Sequence, residues 1–336
     1  MFAYIIRRIF AALILLLVVS AVTFAIFFLL PRIAGETADQ LAAQFIGKSP
    51  SPETIAAVKQ NLGLDQPLYA QYWKFLKGLV AGAEYNFGPE PATCHVPCFG
   101  YSFKNHLEVW PELSKRVPTT ISLAAGAAVL WLLSGVATGV VSALKPKSIF
   151  DRAAMGIALA GVSLPVFFTG ALLLTLFSYE WPILDNLQYV DFTENPLMWA
   201  RNLILPWISL AFLYSALYAR LTRAGMLETM SEDYIRTARA KGLAERKVVT
   251  RHGLRAALTP IVTIFGMDLG LLLGGALITE QVFSLQGVGQ FAVQAISDND
   301  LPKILGVTLL AAFFIVVCNL VVDLLYAFVD PRVRIS

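Results

Sequence analysis

Long apolar runs separated by charged stretches dominate this chain. Six are long enough to cross a membrane as helices: about 9–30, 118–143, 153–178, 203–224, 260–283 and 304–329. Crossing lipid takes roughly 20 apolar residues, because each adds about 1.5 Å against a core of about 30 Å. The first run begins after Arg7-Arg8 and ends in Leu29-Leu30-Pro31. It is longer than the apolar region of a secretory signal, about 7–15 residues, and reads as a retained helix, with a cleaved signal as the competing reading. Pro118 suits the first turn of the second span, where a missing N–H costs nothing. Pro165 lies inside the third span and predicts a kink, since it removes a backbone bond.

Composition agrees. Of 336 residues, 57% are hydrophobic and 15% charged, against about 25% charged in a soluble domain. Mean hydropathy is +0.66. The net charge of +3 is small, and no basic run interleaves with aromatics, which excludes a nucleic-acid binder. The pattern predicts an all-α polytopic membrane protein with six transmembrane helices and a small extracytoplasmic domain between the first two.

Lysine and arginine placement orients the spans. With the N-terminus inside, Arg7, Arg8, Lys145, Lys147 and Arg152 are cytoplasmic. So are Arg220, Arg223, Arg236, Arg239, Lys241, Arg246, Lys247, Arg251 and Arg255 in and beside the 225–260 loop, and Arg332 and Arg334 in the tail. Most basic residues on the other side fall in the long 31–116 segment, which weighs little in topology. Both termini are therefore expected in the cytoplasm. The expected division is 1–30 as N-terminus and first helix, 31–116 as extracytoplasmic domain, 117–330 as a five-helix core with the 225–260 loop, and 331–336 as tail.

Within 31–116, Ser51-Pro52-Glu53 reads as a helix start, Ile55, Val58 and Leu62 have helical spacing, and Gly63 is a stop. A second amphipathic helix is expected from Leu68 to Val80, through Tyr72, Trp73 and Leu76, its aromatics resting at the lipid surface or docking a partner. Cys94 and Cys98 favour a local disulfide in an oxidising compartment. Their spacing with His95 and His106 is unlike closed zinc sites.

The cytoplasmic stretch Glu232-Asp233-Tyr234-Ile235-Arg236-Thr237-Ala238-Arg239-Ala240-Lys241-Gly242-Leu243 favours a helix stopped by glycine. Small residues let such a helix seat in a groove, and basic residues pair with acidic surface. An ordinary positive-inside loop is the competing reading, and chemistry alone leaves both open. In the fifth span, Gly266, Gly270 and Gly274 form a small-xxx-small ridge. Asp268 lies about 200° around the helix from it. An acid there faces an aqueous path or makes an interhelical hydrogen bond, the second being slightly favoured. Glu280, near the outer end, suits a cap or gate contact. Asp323 and Asn319 read as packing, and Cys318 as a small apolar residue.

The 233–243 stretch, followed by Arg251, His252, Leu254, Arg255, Ala257 and Pro260, resembles the coupling loop of binding-protein-dependent ABC permeases. The dipeptide and oligopeptide branch of that family reads like D-Y-x-R-T-A-R-A-K-G-L, then R-H-x-L-R-x-A-x-x-P. Leu62-Gly63-Leu64-Asp65-Gln66-Pro67-Leu68, Thr279-Glu280, Val282-Phe283, Gly287-Val288-Gly289, Val322-Asp323-Leu324-Leu325-Tyr326 and Asp330-Pro331-Arg332 are similar to that branch as well, among its first-permease (B-type) members. Leu285-Gln286 departs from a usual aromatic-proline pair, and Pro31-Arg32-Ile33 stands where a P-G-D-P turn is common.

The resemblance implies a type I ABC importer permease in the inner membrane of a prokaryote. Residues 233–242 would be the coupling helix, with Asp233, Tyr234, Arg236, Thr237, Ala238, Lys241 and Gly242 meeting an ATPase, and Asp268 and Glu280 as pathway or gate candidates. Implied partners are a second homologous permease, ABC ATPase subunits or one fused ATPase, an extracytoplasmic binding protein and the bilayer. ATP and magnesium belong to the ATPases, since no G-x-x-x-x-G-K-[ST] loop occurs here. No catalytic or metal-binding residue is expected. Peptides are the expected cargo, with nickel complexes, glutathione or sugars as alternatives. An ion-gradient carrier is the rival class, and the chain lacks the convincing internal repeat such carriers show.

Overall fold

The computed structural model describes residues 2–46, 51–86, 91–184 and 188–329. The first apolar run forms α1 (Phe2–Phe24), which continues through a π-helical stretch, Ala25–Leu29, and a last turn, Leu30–Ile33. The 31–116 segment follows with α2 (Ala38–Ile46), α3 (Pro52–Leu62) and α4 (Leu68–Ala81). Two antiparallel hairpins come next, β1 (Ala83–Asn86) with β2 (Pro91–Cys94) and β3 (Tyr101–Ser102) with β4 (Leu107–Glu108), then the short α5 (Val109–Ser114). The bundle is completed by α6 (Val117–Leu144), α7 (Ile149–Ser163), α8 (Val166–Leu174), α9 (Pro196–Met230), α10 (Asp233–Ala240), α11 (Leu254–Leu273), α12 (Leu277–Val282), α13 (Val288–Ser297) and α14 (Leu301–Val329).

Among the described residues, five helices are long and apolar enough to cross a membrane, and α7 with the helix beyond it makes a sixth if that bent pair is one span. The pair turns through 101°, sharper than the kink expected at Pro165. Leu164 and Pro165 both adopt extended backbone, with ψ of 128° and 141°, so the helix stops and restarts. The fifth run also departs from expectation. Instead of one span over 260–283, α11 ends at Leu273 and the chain turns at Gly274-Gly275 into the separate α12. Gly275 has φ of +128°, and a Cβ there would lie 2.7 Å from the Gly289 Cα, so both backbone conformation and close approach require glycine.

Small residues hold the spans together, since lipid offers no hydrophobic drive for helix association. The ridge of Gly266, Gly270 and Gly274 packs against α14, antiparallel, with Cβ positions that would fall 2.1 Å from Val322 Cγ2, 3.0 Å from Ile315 Cα and 2.9 Å from Ala311 Cβ. A second glycine row on α6, at Gly126, Gly135 and Gly139, lets α9 run parallel to it against Trp207, Tyr218 and Thr222. The first and last helices are tied antiparallel by Arg8 and Asp323, 2.9 Å apart. Asp323 is thus an ion-pair partner rather than a packing residue alone.

Ser51 accepts from the Thr54 N–H as the N-cap of α3, and Gly63 ends it with φ of +67°. Val58 is buried, with Ile55 and Leu62 beside it. The sequence predicts α3 and α4 but not α2 or the four short strands. Leu41, Phe45 and Val58 pack with Phe24 and Phe28 of the first helical run and Leu305 of α14, so this segment shares its core with the bundle. The Tyr72 hydroxyl reaches Ser20 at 2.8 Å, while Trp73 stays exposed. Arg32, in the divergent Pro31-Arg32-Ile33 turn, donates to the Leu64 carbonyl at 2.6 Å. Asp330-Pro331-Arg332 and the 331–336 tail lie outside the described residues.

Candidate functional site

At one end of the bundle the chain leaves α9 at Met230, turns, and forms α10. The helix is amphipathic on a small scale. Ile235 and Ala238, three residues apart on one face, pack on Val248, with Met230 and Leu243 alongside. Ile235 is wholly buried, worth about 1.5–3 kcal/mol of anchoring. Asp233, Tyr234, Arg236, Thr237, Arg239 and Ala240 point away from this contact and are exposed. Ala238 therefore belongs to the anchoring face, not to the outward surface where the sequence reading puts it.

Local bonds stiffen the outward face. Arg236 pairs with Asp233 at 3.2 Å, and the Thr237 hydroxyl donates to the Asp233 carbonyl at 3.0 Å. Arg239 makes a two-pronged contact with Glu245, at 3.1 and 2.7 Å, that closes the exit turn. Helical geometry ends at Ala240, not at Gly242 as expected. Gly242, with φ of +77° and open space where a Cβ would be, terminates the helix through its own N–H to the Arg239 carbonyl at 2.9 Å. Lys241 is exposed beside it. Burial and the neighbouring Glu232 push the Tyr234 phenol upward, so it stays a neutral, half-exposed donor.

The helix connects to the bundle on two sides. Met230 ends α9, and the chain beyond α10 runs through Val248–Gly253 into α11. One turn above Met226, Arg223 grips Asp151 at the start of α7 with bonds of 2.7 and 2.8 Å. The same carboxylate accepts from the Lys147 N–H at 2.8 Å. No local sequence signal marks this clamp, because its partners lie 72 positions apart.

Asp268 accepts from the Tyr218 hydroxyl at 2.8 Å across α11 and α9. This is the interhelical hydrogen bond favoured above. Glu280 is fully buried at the opposite end of the bundle. Its Oε1 accepts from the Thr120 hydroxyl and its Oε2 from the Gln290 N–H, both at 2.8 Å. Thr120 in turn accepts from the Val288 N–H at 2.8 Å. Together they satisfy first-turn N–H groups of α13 and join it to α6 and α12. Of the cap and gate contacts expected for Glu280, the structure displays the cap. Gly287 and Gly289 leave room for it, since a Cβ on either would fall within 3.0 Å of the carboxylate. Leu285, of the divergent Leu285-Gln286 pair, is buried in the bundle core.

Cys94 and Cys98 are disulfide-bonded, with Cα atoms 5.5 Å apart. No group of three or more His, Cys, Asp or Glu side chains suited to a metal ion occurs among the described residues.

Residues 135–335 match the family of binding-protein-dependent transport system inner membrane components, and residues 1–124 match the N-terminal part of such membrane components. The chain is similar to a putative peptide transport system permease protein of Brucella abortus, 39% identical over 99% of each chain. It is also similar to the dipeptide transport system permease protein of Escherichia coli, 35% identical over 99% of each. A di/tripeptide transport system permease protein of Pseudomonas aeruginosa is 36% identical over 94% of each.

Proposed function

The chain belongs to the family of binding-protein-dependent transport system inner membrane components, and we propose that it is the membrane-spanning permease subunit of an ATP-driven peptide importer. The observation that carries this reading is α10, a short helix anchored by Ile235 and Ala238 whose firm polar face is left exposed among the described residues. A handle of this kind suits a partner that pushes. Peptide is the cargo named for the similar permeases of Brucella, Escherichia and Pseudomonas.

In this reading both termini and α10 face the cytoplasm, and residues 31–116 face outward. Tyr234, Arg236, Thr237, Lys241 and Gly242 meet an ATPase subunit, which binds the ATP and magnesium. Closure of two ATPase units around nucleotide displaces α10. Met230 and Val248–Gly253 carry the displacement into α9 and α11, and the Arg223–Asp151 clamp carries it into α7. A second, homologous permease completes the path, and a binding protein delivers peptide to the outer face.

The test is reconstitution in proteoliposomes with the second permease, the ATPases and the binding protein. Peptide uptake should require ATP and cease when the ATPases are omitted. Uptake by this chain alone, driven by a proton gradient, would overturn the proposal.

A further inference from the structure

At the end of the bundle opposite α10, the start of α6, the stretch after α8 and the turn after α12 line an open vestibule of about 1400 Å³. Val282 and Phe283 form part of its lining, with Tyr179 and Tyr189 beside them. Two consecutive cations, Lys115 and Arg116, also line it. Neither is within ion-pair distance of an acidic side chain among the described residues. The nearby acids are committed elsewhere: Glu112 to Lys303 at 2.7 Å, Glu108 to His95 at 2.8 Å, and Glu280 to Thr120 and Gln290. The Arg116 Nη1 is buried with no hydrogen-bond acceptor among the described residues, and the guanidinium carbon rests 4.7 Å from the centre of the Phe291 ring.

The Arg116 and Lys115 cations line the vestibule without an acidic partner among the described residues, and a planar carboxylate offers such a guanidinium strong, charge-assisted bonds. An aromatic ring beneath the cation fixes its plane without consuming its donors. We propose that Arg116, assisted by Lys115, is a carboxylate-reading subsite in this vestibule and engages the free C-terminal carboxylate of a peptide on its way into the membrane path. Asp191, exposed on the facing chain segment with its carboxylate accepting from the Tyr189 hydroxyl at 3.1 Å, is placed to receive the ammonium end. The apolar and aromatic lining tolerates the side chains between. This inference rests on the peptide reading above.

The test is ATP-dependent uptake by the complete reconstituted transporter of a short peptide and of the same peptide with an amidated C-terminus. The binding protein is held constant, so a change in the acid-to-amide ratio on substitution belongs to the permease. Arg116→Gln should lower the ratio about tenfold, as expected for loss of about 1.4 kcal/mol of carboxylate recognition, and Arg116→Lys should restore part of it. Lys115→Gln, at an exposed position, should lower the ratio in the same direction whether or not the Arg116 variant assembles. An unchanged ratio in the Lys115 variant, or equal loss of both peptides in the Arg116→Gln variant, overturns the proposal and leaves the peptide reading intact. If the wild-type complex takes up neither peptide, the peptide reading itself fails and the subsite falls with it.

Discussion

Glu280 is the point where three elements depend on one side chain, and replacing it should loosen the end of the bundle opposite α10. In Glu280→Ala, the Gln290 N–H and the Thr120 hydroxyl lose their acceptor inside a site with no exposure. Each stranded buried donor costs about 1–3 kcal/mol, which gives about 2–6 kcal/mol before the void is counted. Glu280→Gln preserves shape and one carbonyl oxygen. The amide can accept from Gln290 while its NH₂ faces Thr120, so its penalty should be about 1–3 kcal/mol, from a single mismatched contact. Thermal unfolding of the purified complex in detergent ranks the variants, and ATP-dependent uptake reports whether α12 and α13 remain in place. The expected order of stability is wild type, then Gln, then Ala, with uptake falling in the same order. An Ala variant as stable and active as the wild type would show Glu280 to be a spectator.

Other residues give separate tests. Gly270→Leu forces a side chain into the Ile315 backbone, where even a Cβ would sit 3.0 Å from the Ile315 Cα; it should cost about 1–3 kcal/mol or more by overpacking, while Met267→Ala on an exposed side of the same helix should leave unfolding unchanged. Ile235→Ala removes the buried anchor of α10 and should weaken it by about 2–5 kcal/mol, read as faster proteolysis within 231–244 and loss of peptide-stimulated ATP hydrolysis with the complex still assembled. Asp151→Arg and Arg223→Asp singly should each abolish uptake, and the charge-swapped double variant should recover part of it; failure of both singles to affect uptake would remove the clamp from the transmission route.

Much of this architecture is legible in the sequence because lipid imposes long apolar runs, and α1, α6, α9 and α14 follow directly. The caps of α3 are legible because Ser51, Pro52 and Gly63 act through local backbone chemistry. What escapes is non-local. Pro165 announces a lost hydrogen bond, but the change of direction also needs Leu164 to leave helical geometry. The break after Leu273 depends on Gly275 meeting Gly289, a contact that hydropathy does not encode. The strand pairs are two to four residues long and carry no alternation to read. For α10 the motif identifies the helix, yet only the fold assigns its faces and moves Ala238 inward against Val248. Glu280 and Asp323 are visible as unusual acids, but Thr120 and Arg8 lie 160 and 315 positions away and carry no signal of their own.

If α10 is where this permease is pushed, thiol labelling should reveal its outward face being covered when the ATPases bind. The native cysteines give a quiet background, since Cys318 is buried and Cys94 is bonded to Cys98. Thr237→Cys lies on the exposed face and Ile235→Cys on the packed face. A polar maleimide should label Thr237→Cys readily in the permease alone and Ile235→Cys hardly at all. Assembly with the ATPase subunits should slow labelling of Thr237→Cys at least several-fold. Equal labelling of Thr237→Cys with and without the ATPases would rule out coupling through this face, because it would then be free in the working complex.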